Sequence, residues 1–233
     1  RRQRQMCIRD RLYVDSKHRD GYFQNNGGIY TMFLFKSVSK IGPGTLSLFF
    51  SQNNQNFRYY NGATAAEIEK FGNSYNSYTG NPYLPDGRPN TFYSTYNGND
   101  YLNWLAYGKY DGEIRKIKFS EQFYYYYGNG YGTGATTSAL NLLTSSGAIQ
   151  RVSPARNHVF INYRINNTHR WGNIFKLAYP LGPLDTEIGF WFNHNNTLHE
   201  SAYFDQSNIY VGSSYVEPVV TDSCILYTSD AAD

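Results

Sequence analysis

Only two cysteines occur among 233 residues, Cys7 and Cys224, and both lie in the terminal eleven-residue segments. Residues 12–222 contain none, so they hold no disulfide framework, thiol nucleophile or thiolate metal site. Leu, Ala and Glu are scarce, which disfavours a helical protein. No run approaches the ~20 apolar residues of a membrane-spanning helix. Strong charge is also missing: of 21 basic and 18 acidic residues, five and three fall in the terminal segments, leaving 16 and 15 between them. That near-neutral balance removes any electrostatic footprint for nucleic acid. What is abundant is Tyr (24), Phe (15) and Gly (21), with frequent Asn and Ser, a composition that suits strands separated by polar loops.

The two ends read differently from the rest. RRQRQMCIRDR (residues 1–11) and SCILYTSDAAD (residues 223–233) closely resemble translations of the two orientations of a sequencing-library transposase adaptor. The alternative is a basic arm and an acidic tail. We read 1–11 and 223–233 as adaptor-derived and 12–222 as the natural segment, expected to be a fragment cut at both ends.

Within it, Gly98 to Gly130 organises the rest, with Lys109-Tyr110-Asp111-Gly112-Glu113 predicted as a hairpin turn because Asp-Gly separates two alternating runs. In the second strand Lys116, Lys118, Ser120, Gln122 and Tyr124 alternate with Ile117, Phe119, Glu121, Phe123 and Tyr125, and the cluster Tyr124–Tyr127 closes it. A strand apolar on one face, polar on the other and aromatic at its end has the pattern of a membrane-spanning β-strand. A mean hydropathy of −0.60 does not oppose this, because only alternate residues of such strands meet lipid.

Residues 12–28 read as a polar loop, Ile29–Val38 as a strand and Lys40–Gly44 as a tight turn. In Thr45–Gln52, Leu46, Leu48 and Phe50 alternate with Thr45, Ser47, Phe49 and Ser51. Asn53–Asn97 reads as a long loop carrying one short helix, opened by the capping box Thr64-Ala65-Ala66-Glu67 and closed by Gly72. A second long loop is expected from Asn129 to about His169, with His158–Ile165 extending a strand. A third hairpin pairs Trp171–Tyr179 with Thr186–His194 across Pro180–Leu184, with Ile188, Phe190 and Phe192 opposing Glu187, Gly189, Trp191 and Asn193. Asn195–Asp222 reads as a further loop and the start of a seventh strand. The presumed turn glycines Gly42, Gly112 and Gly182 fall 70 residues apart, and two strands end alike, in SQNN (51–54) and NHNN (193–196). The expectation is all-β: an antiparallel transmembrane β-barrel fragment of about six strands, with short turns on one side and long loops on the other.

The stretches Ser51–Gly72, Asn97–Gly134 and Asn166–Asn196 resemble the barrel of a TonB-dependent outer-membrane receptor. The resemblance implies a Gram-negative outer-membrane location and a parent barrel of ~22 strands filled by a plug domain. It also implies active uptake of a scarce solute: a siderophore-iron complex, cobalamin or an oligosaccharide. The partners it implies are outer-membrane lipid, the solute, and the TonB complex reached through a plug that this sequence does not contain. The rival readings are a secreted soluble all-β carbohydrate-binding protein, whose apolar faces meet in a closed core, and a passive porin.

No acid/base or nucleophilic constellation is visible, so the expectation is a non-enzyme without cofactor or metal. Gly128–Gly134 lacks the Lys-Ser/Thr and following helix of a phosphate loop. His194, His199 and Glu200 fit no zinc spacing, and the sequons at Asn166 and Asn195 carry no weight in such a protein. Glu121 falls on the apolar phase, which predicts either a headgroup position or a bulge after Ser120. The residues best suited to touch a ligand are Tyr59, Tyr60, Tyr124, Tyr126, Arg170, Trp191 and Asn193. Aromatic faces offer stacking, the guanidinium a charged fork and the amide hydrogen bonds.

Overall fold

The computed structural model describes residues 10–144, 146–155 and 158–231, the side chains of 215–218 and 226–231 excepted. The chain is all-β, a single antiparallel sheet. Its strands are β1 (Arg11–Arg19), β2 (Gly28–Ile41), β3 (Gly44–Arg58), β4 (Gly98–Ile114), β5 (Ile117–Thr136), β6 (Leu140–Leu143), β7 (Ile149–Val152), β8 (Phe160–Leu181), β9 (Leu184–Asp205) and β10 (Tyr210–Ala231). They lie in the order β1-β2-β3-β4-β5-β8-β9-β10-β6-β7. The sheet does not close: β1 pairs on one side only, and β6 meets β10 at a single residue pair. One helix, α1 (Ala65–Phe71), and a short 3-10 turn (Ser94–Tyr96) lie between β3 and β4. Among the described residues no helix is long and apolar enough to cross a membrane.

Ten strands replace the expected six, and the main ones are longer. Residues 12–28 are not a loop throughout, because Leu12 to Arg19 pair with β2. The expected loops at 129–169 and 195–222 are largely strand: β5 continues to Thr136, β8 begins at Phe160, and β9 and β10 leave only 206–209 between them. The strand predicted from Trp171 and its expected extension from His158 are one element, β8. Residues 223–231 continue β10 along β9, as an open strand edge permits for any extended segment.

Three hairpins share one end of the sheet. Ile41 pairs with Gly44 and Leu181 with Leu184, so Gly42-Pro43 and Gly182-Pro183 are two-residue turns. Each turn glycine has positive φ (+57° and +63°), and each proline fixes the next residue at negative φ, the pattern of a II′ turn. The middle turn is not Asp111-Gly112. Those residues pair with Ser120 and Phe119 inside the hairpin, and the chain reverses at Arg115-Lys116, with Arg115 at φ +59°. Gly112 therefore belongs to no turn, and the regular spacing of turn glycines reduces to Gly42 and Gly182. Pairing of Ile114 with Ile117, and of Gly112 with Gly44 of β3, outweighs the local Asp-Gly preference.

The hairpins are staggered. Gly44 pairs with Gly112, two residues short of the end of β4, and Lys118 pairs with Ala178, which again offsets the ends by two. The register thus advances one residue per strand on average.

At the other end the connections are longer and folded. Helix α1 forms as its capping box predicts. The Thr64 hydroxyl accepts from the Glu67 N–H, the Glu67 carboxylate accepts from the Thr64 N–H at 2.8 Å, and Gly72 donates to the Ile68 carbonyl. The Thr64 N–H, and after it the Thr64 hydroxyl, donate to the Glu67 carboxylate and hold it below the ordinary carboxylate range. Buried asparagines order the rest of this connection. Asn76 donates to the Gln24 carbonyl and accepts from the N–H groups of Asn61 and Tyr78, while Asn90 and Asn97 tie the backbone of 79–97 in the same way. The apolar core is small and also lies at this end: Leu142, Phe160 and Tyr203, flanked by Leu140, Val152 and Val211.

Candidate functional site

Antiparallel pairing places partnered side chains on the same face, so the register sorts the sheet into two surfaces. One carries Leu46, Leu48, Phe50, Ile117, Phe119, Phe123, Phe175, Leu177, Ile188, Phe190 and Phe192. Among the described residues none of these is in the buried core; Leu48 is 45 %, Phe123 62 % and Phe190 37 % exposed. Among the described residues no second sheet covers them.

In the middle and last hairpins this apolar belt ends in aromatics at one distance from the turns, whereas in the first Thr31 and Asn54 stand at that height. Trp104 and Trp171 lie ten residues before Ile114 and Leu181; Tyr127 and His194 lie ten after Ile117 and Leu184. The rings of Trp104 and Tyr127, and of Trp171 and His194, are each 5.4 Å apart, and Tyr125 and His169 hydrogen-bond beside them. Tyr124–Tyr127 therefore does not end its strand; it divides, with Tyr125 and Tyr127 on the apolar surface and Tyr124 and Tyr126 on the other.

Glu121 stays on the apolar surface. The register through Ser120 is unbroken, so no bulge swaps the faces, and the Asn173 amide donates to the carboxylate. Its neighbours in the same row are Tyr110, Phe175 and Phe190.

The opposite surface is polar and concave. At the turn end, side chains from β2 to β9 converge on a cavity of about 640 Å³ whose lining includes Lys40, Lys109, Asp111, Lys118, Lys176 and Glu187. Lys109 pairs with Asp111 at 2.8 Å and Lys176 with Glu187 at 3.1 Å. Above the cavity the charges give way to tyrosines and amides. Trp191 Nε1 donates to the Tyr124 hydroxyl, which donates to Asn193 Oδ1, each at 3.0 Å. One row on, Tyr126 donates to Asn103 at 2.8 Å, and Arg170, the cross-strand partner of Tyr126, donates through Nε to Asn195 at 3.4 Å. Further from the turns, Asn166 donates to the Tyr101 hydroxyl and Tyr59 to Asn99. Burial raises the Tyr59 phenol above its ordinary range, keeping it a hydroxyl donor.

Glycines let these rings lie down. A Cβ on Gly172 would sit 2.6 Å from Tyr124 Cζ, on Gly130 2.6 Å from Tyr101 Cδ1, and on Gly128 3.1 Å from Tyr126 Cζ. Residues 128–134 are thus strand beneath a tyrosine shelf rather than a free loop.

Of the predicted ligand residues, the structure brings Tyr124, Tyr126, Arg170, Trp191 and Asn193 onto one surface, with Tyr59 at its far margin. Tyr60 stands apart, stacked on Phe23 at 4.5 Å. Asn99, Tyr101, Asn103, Asn166 and Asn195 were missed as members; Asn103 and Asn195 share the alternation phase of Tyr126 and Asn193, which is the signal that marks them. His194 and His199 fall on opposite faces, beside Asp222 and Asn166 respectively. Compared with known proteins, the chain matches no family model and no curated sequence.

Proposed function

We propose that residues 12–222 form part of the wall of an outer-membrane β-barrel of the TonB-dependent receptor type, and that the terminal segments are adaptor-derived. The apolar belt then meets lipid, the concave polar surface faces the lumen, and the parent protein takes up a scarce solute with energy delivered through its plug. The observation that carries this reading is the aromatic girdle, at one height in the middle and last hairpins. A stagger of one residue per strand, with ~3.3 Å rise and ~4.8 Å between strands, corresponds to a tilt of about 35°. Ten residues then span ~27 Å along the barrel axis, against ~25 Å for the apolar band of such barrels. Two-residue turns at one end and folded connections at the other agree with it. A soluble sandwich needs a partner for the belt, and no second layer is present among the described residues.

Long-read sequencing of the same source tests the reading. The natural reading frame upstream of residue 12 is expected to encode a plug domain preceded by a short energy-coupling segment. A frame that opens directly into a signal peptide and barrel strands identifies a passive porin instead.

A further inference from the structure

Resting on the assignment of the polar surface to a lumen, we infer that the tyrosine shelf of β4, β5, β8 and β9 is a binding site for a carboxylate-bearing oligosaccharide. Three features of the shelf define that chemistry. The rings of Tyr101, Tyr124 and Tyr126 lie over glycines in three rows of the sheet, with no side chain beneath to lift them away from it. Flat aromatic faces match the C–H faces of pyranose rings, and repeated rows match a chain of them. Between the rings stand amides, Asn103, Asn193 and Asn195, which offer donors and acceptors at once, as sugar hydroxyls require.

The third feature is charge. Arg170 is exposed among these rows, between Tyr126 and Asn195, and among the described residues it makes no ion pair. On β4, β5, β8 and β9 the acidic groups of this surface lie at its two ends, Asp111, Glu113, Asp185 and Glu187 near the turns and Asp205 at the far end, and Asp111 and Glu187 already pair with Lys109 and Lys176. A guanidinium presented on a sugar-shaped platform selects a sugar that brings a carboxylate, which it holds through a two-pronged hydrogen bond. A ferric tricatecholate can stack on a ring and pair with Arg170, but it lacks a repeat to set against successive rings and amides, whereas a uronic-acid oligomer uses all three features.

Trp191 supplies the readout, being the one tryptophan on this surface while Trp104 and Trp171 lie on the other. The closed parent barrel, with Trp191 kept as its sole tryptophan, is reconstituted in lipid vesicles and titrated with a galacturonic acid hexamer, a neutral galactose hexamer and a ferric tricatecholate complex. The acidic hexamer is expected to shift Trp191 emission saturably and to bind roughly tenfold more tightly than the neutral one, the worth of one charge-assisted contact. R170Q is expected to remove that difference. No response to either hexamer, equal binding of both before the substitution, or a response to the ferric complex alone overturns the inference. Brominated acyl chains in the same vesicles keep the two readings apart. If Trp191 is silent to them and also to the hexamers, the lumen assignment stands and the ligand class fails; if they quench it, the lumen assignment itself fails.

Discussion

A charge placed on the belt should cost far more than the same charge one residue away. Phe123 is 62 % exposed and lies six residues from Ile117. At 35° tilt that is ~16 Å above the turns, near the middle of a ~27 Å band. Phe123→Arg in lipid should therefore destabilise by about 2–4 kcal/mol, a factor of roughly 30 to 1,000 in the folding equilibrium. In a water-soluble protein a side chain this exposed tolerates the change within about 0.5 kcal/mol. Gln122 is the control: its side chain points to the polar surface and lines the cavity, so Gln122→Arg should be close to neutral. The assay is urea unfolding of the closed parent barrel from vesicles followed by tryptophan emission, with the midpoint lowered and the slope unchanged for Phe123→Arg alone. If the two substitutions cost the same, or Phe123→Arg costs nothing, the belt does not face hydrocarbon.

Three further outcomes follow from local geometry. Asn173→Leu leaves the Glu121 carboxylate without its donor on an apolar surface and should cost several times more than the double change with Glu121→Leu, which a double-mutant cycle in vesicles measures. Arg115→Gly should stabilise the middle hairpin by ~0.5–1 kcal/mol, because the φ > 0 cost of a side chain exceeds the added chain entropy of glycine; the urea midpoint reports it. The folded Glu67 carboxyl is depressed, so the stabilisation it gives α1 is present above the unfolded carboxylate range and lost as pH falls through the folded value. Amide exchange at Ile68 and Gly72 should accelerate over that acid interval; Glu67→Gln, which cannot ionise, should abolish the pH response, and Thr64→Ala, worth ~1 kcal/mol, should only weaken it because the backbone N–H at position 64 remains.

The parts of this structure legible in the sequence are those fixed by period or by a short local signal. Alternation in Thr45–Gln52 and Ile117–Phe123 gives the faces, Gly-Pro gives two turns, and Thr64 with Glu67 gives the helix. The middle turn was hidden because its position is set by β3 and β8, not by Asp111-Gly112. Strand beyond the girdle was hidden for a related reason. Asn129–Gly134 has a loop composition, and what makes it strand-like is Tyr101 roofing Gly130 from β4 and the long run of pairs with β8, all of them non-local. Of the candidate site, the phase of Tyr124, Tyr126, Trp191 and Asn193 could be read directly, but not which strands would bring them side by side.

The central claim is that one surface of this sheet meets acyl chains and the other does not. Three variants of the closed parent barrel that keep only Trp104, Trp171 or Trp191, reconstituted in vesicles whose lipids carry bromine along the acyl chain, put it to the test. Trp104 and Trp171 are expected to be quenched, most strongly by bromine close to the headgroups, and Trp191 to be unaffected at every bromine depth. Equal quenching at all three positions, or quenching of Trp191 alone, contradicts the account.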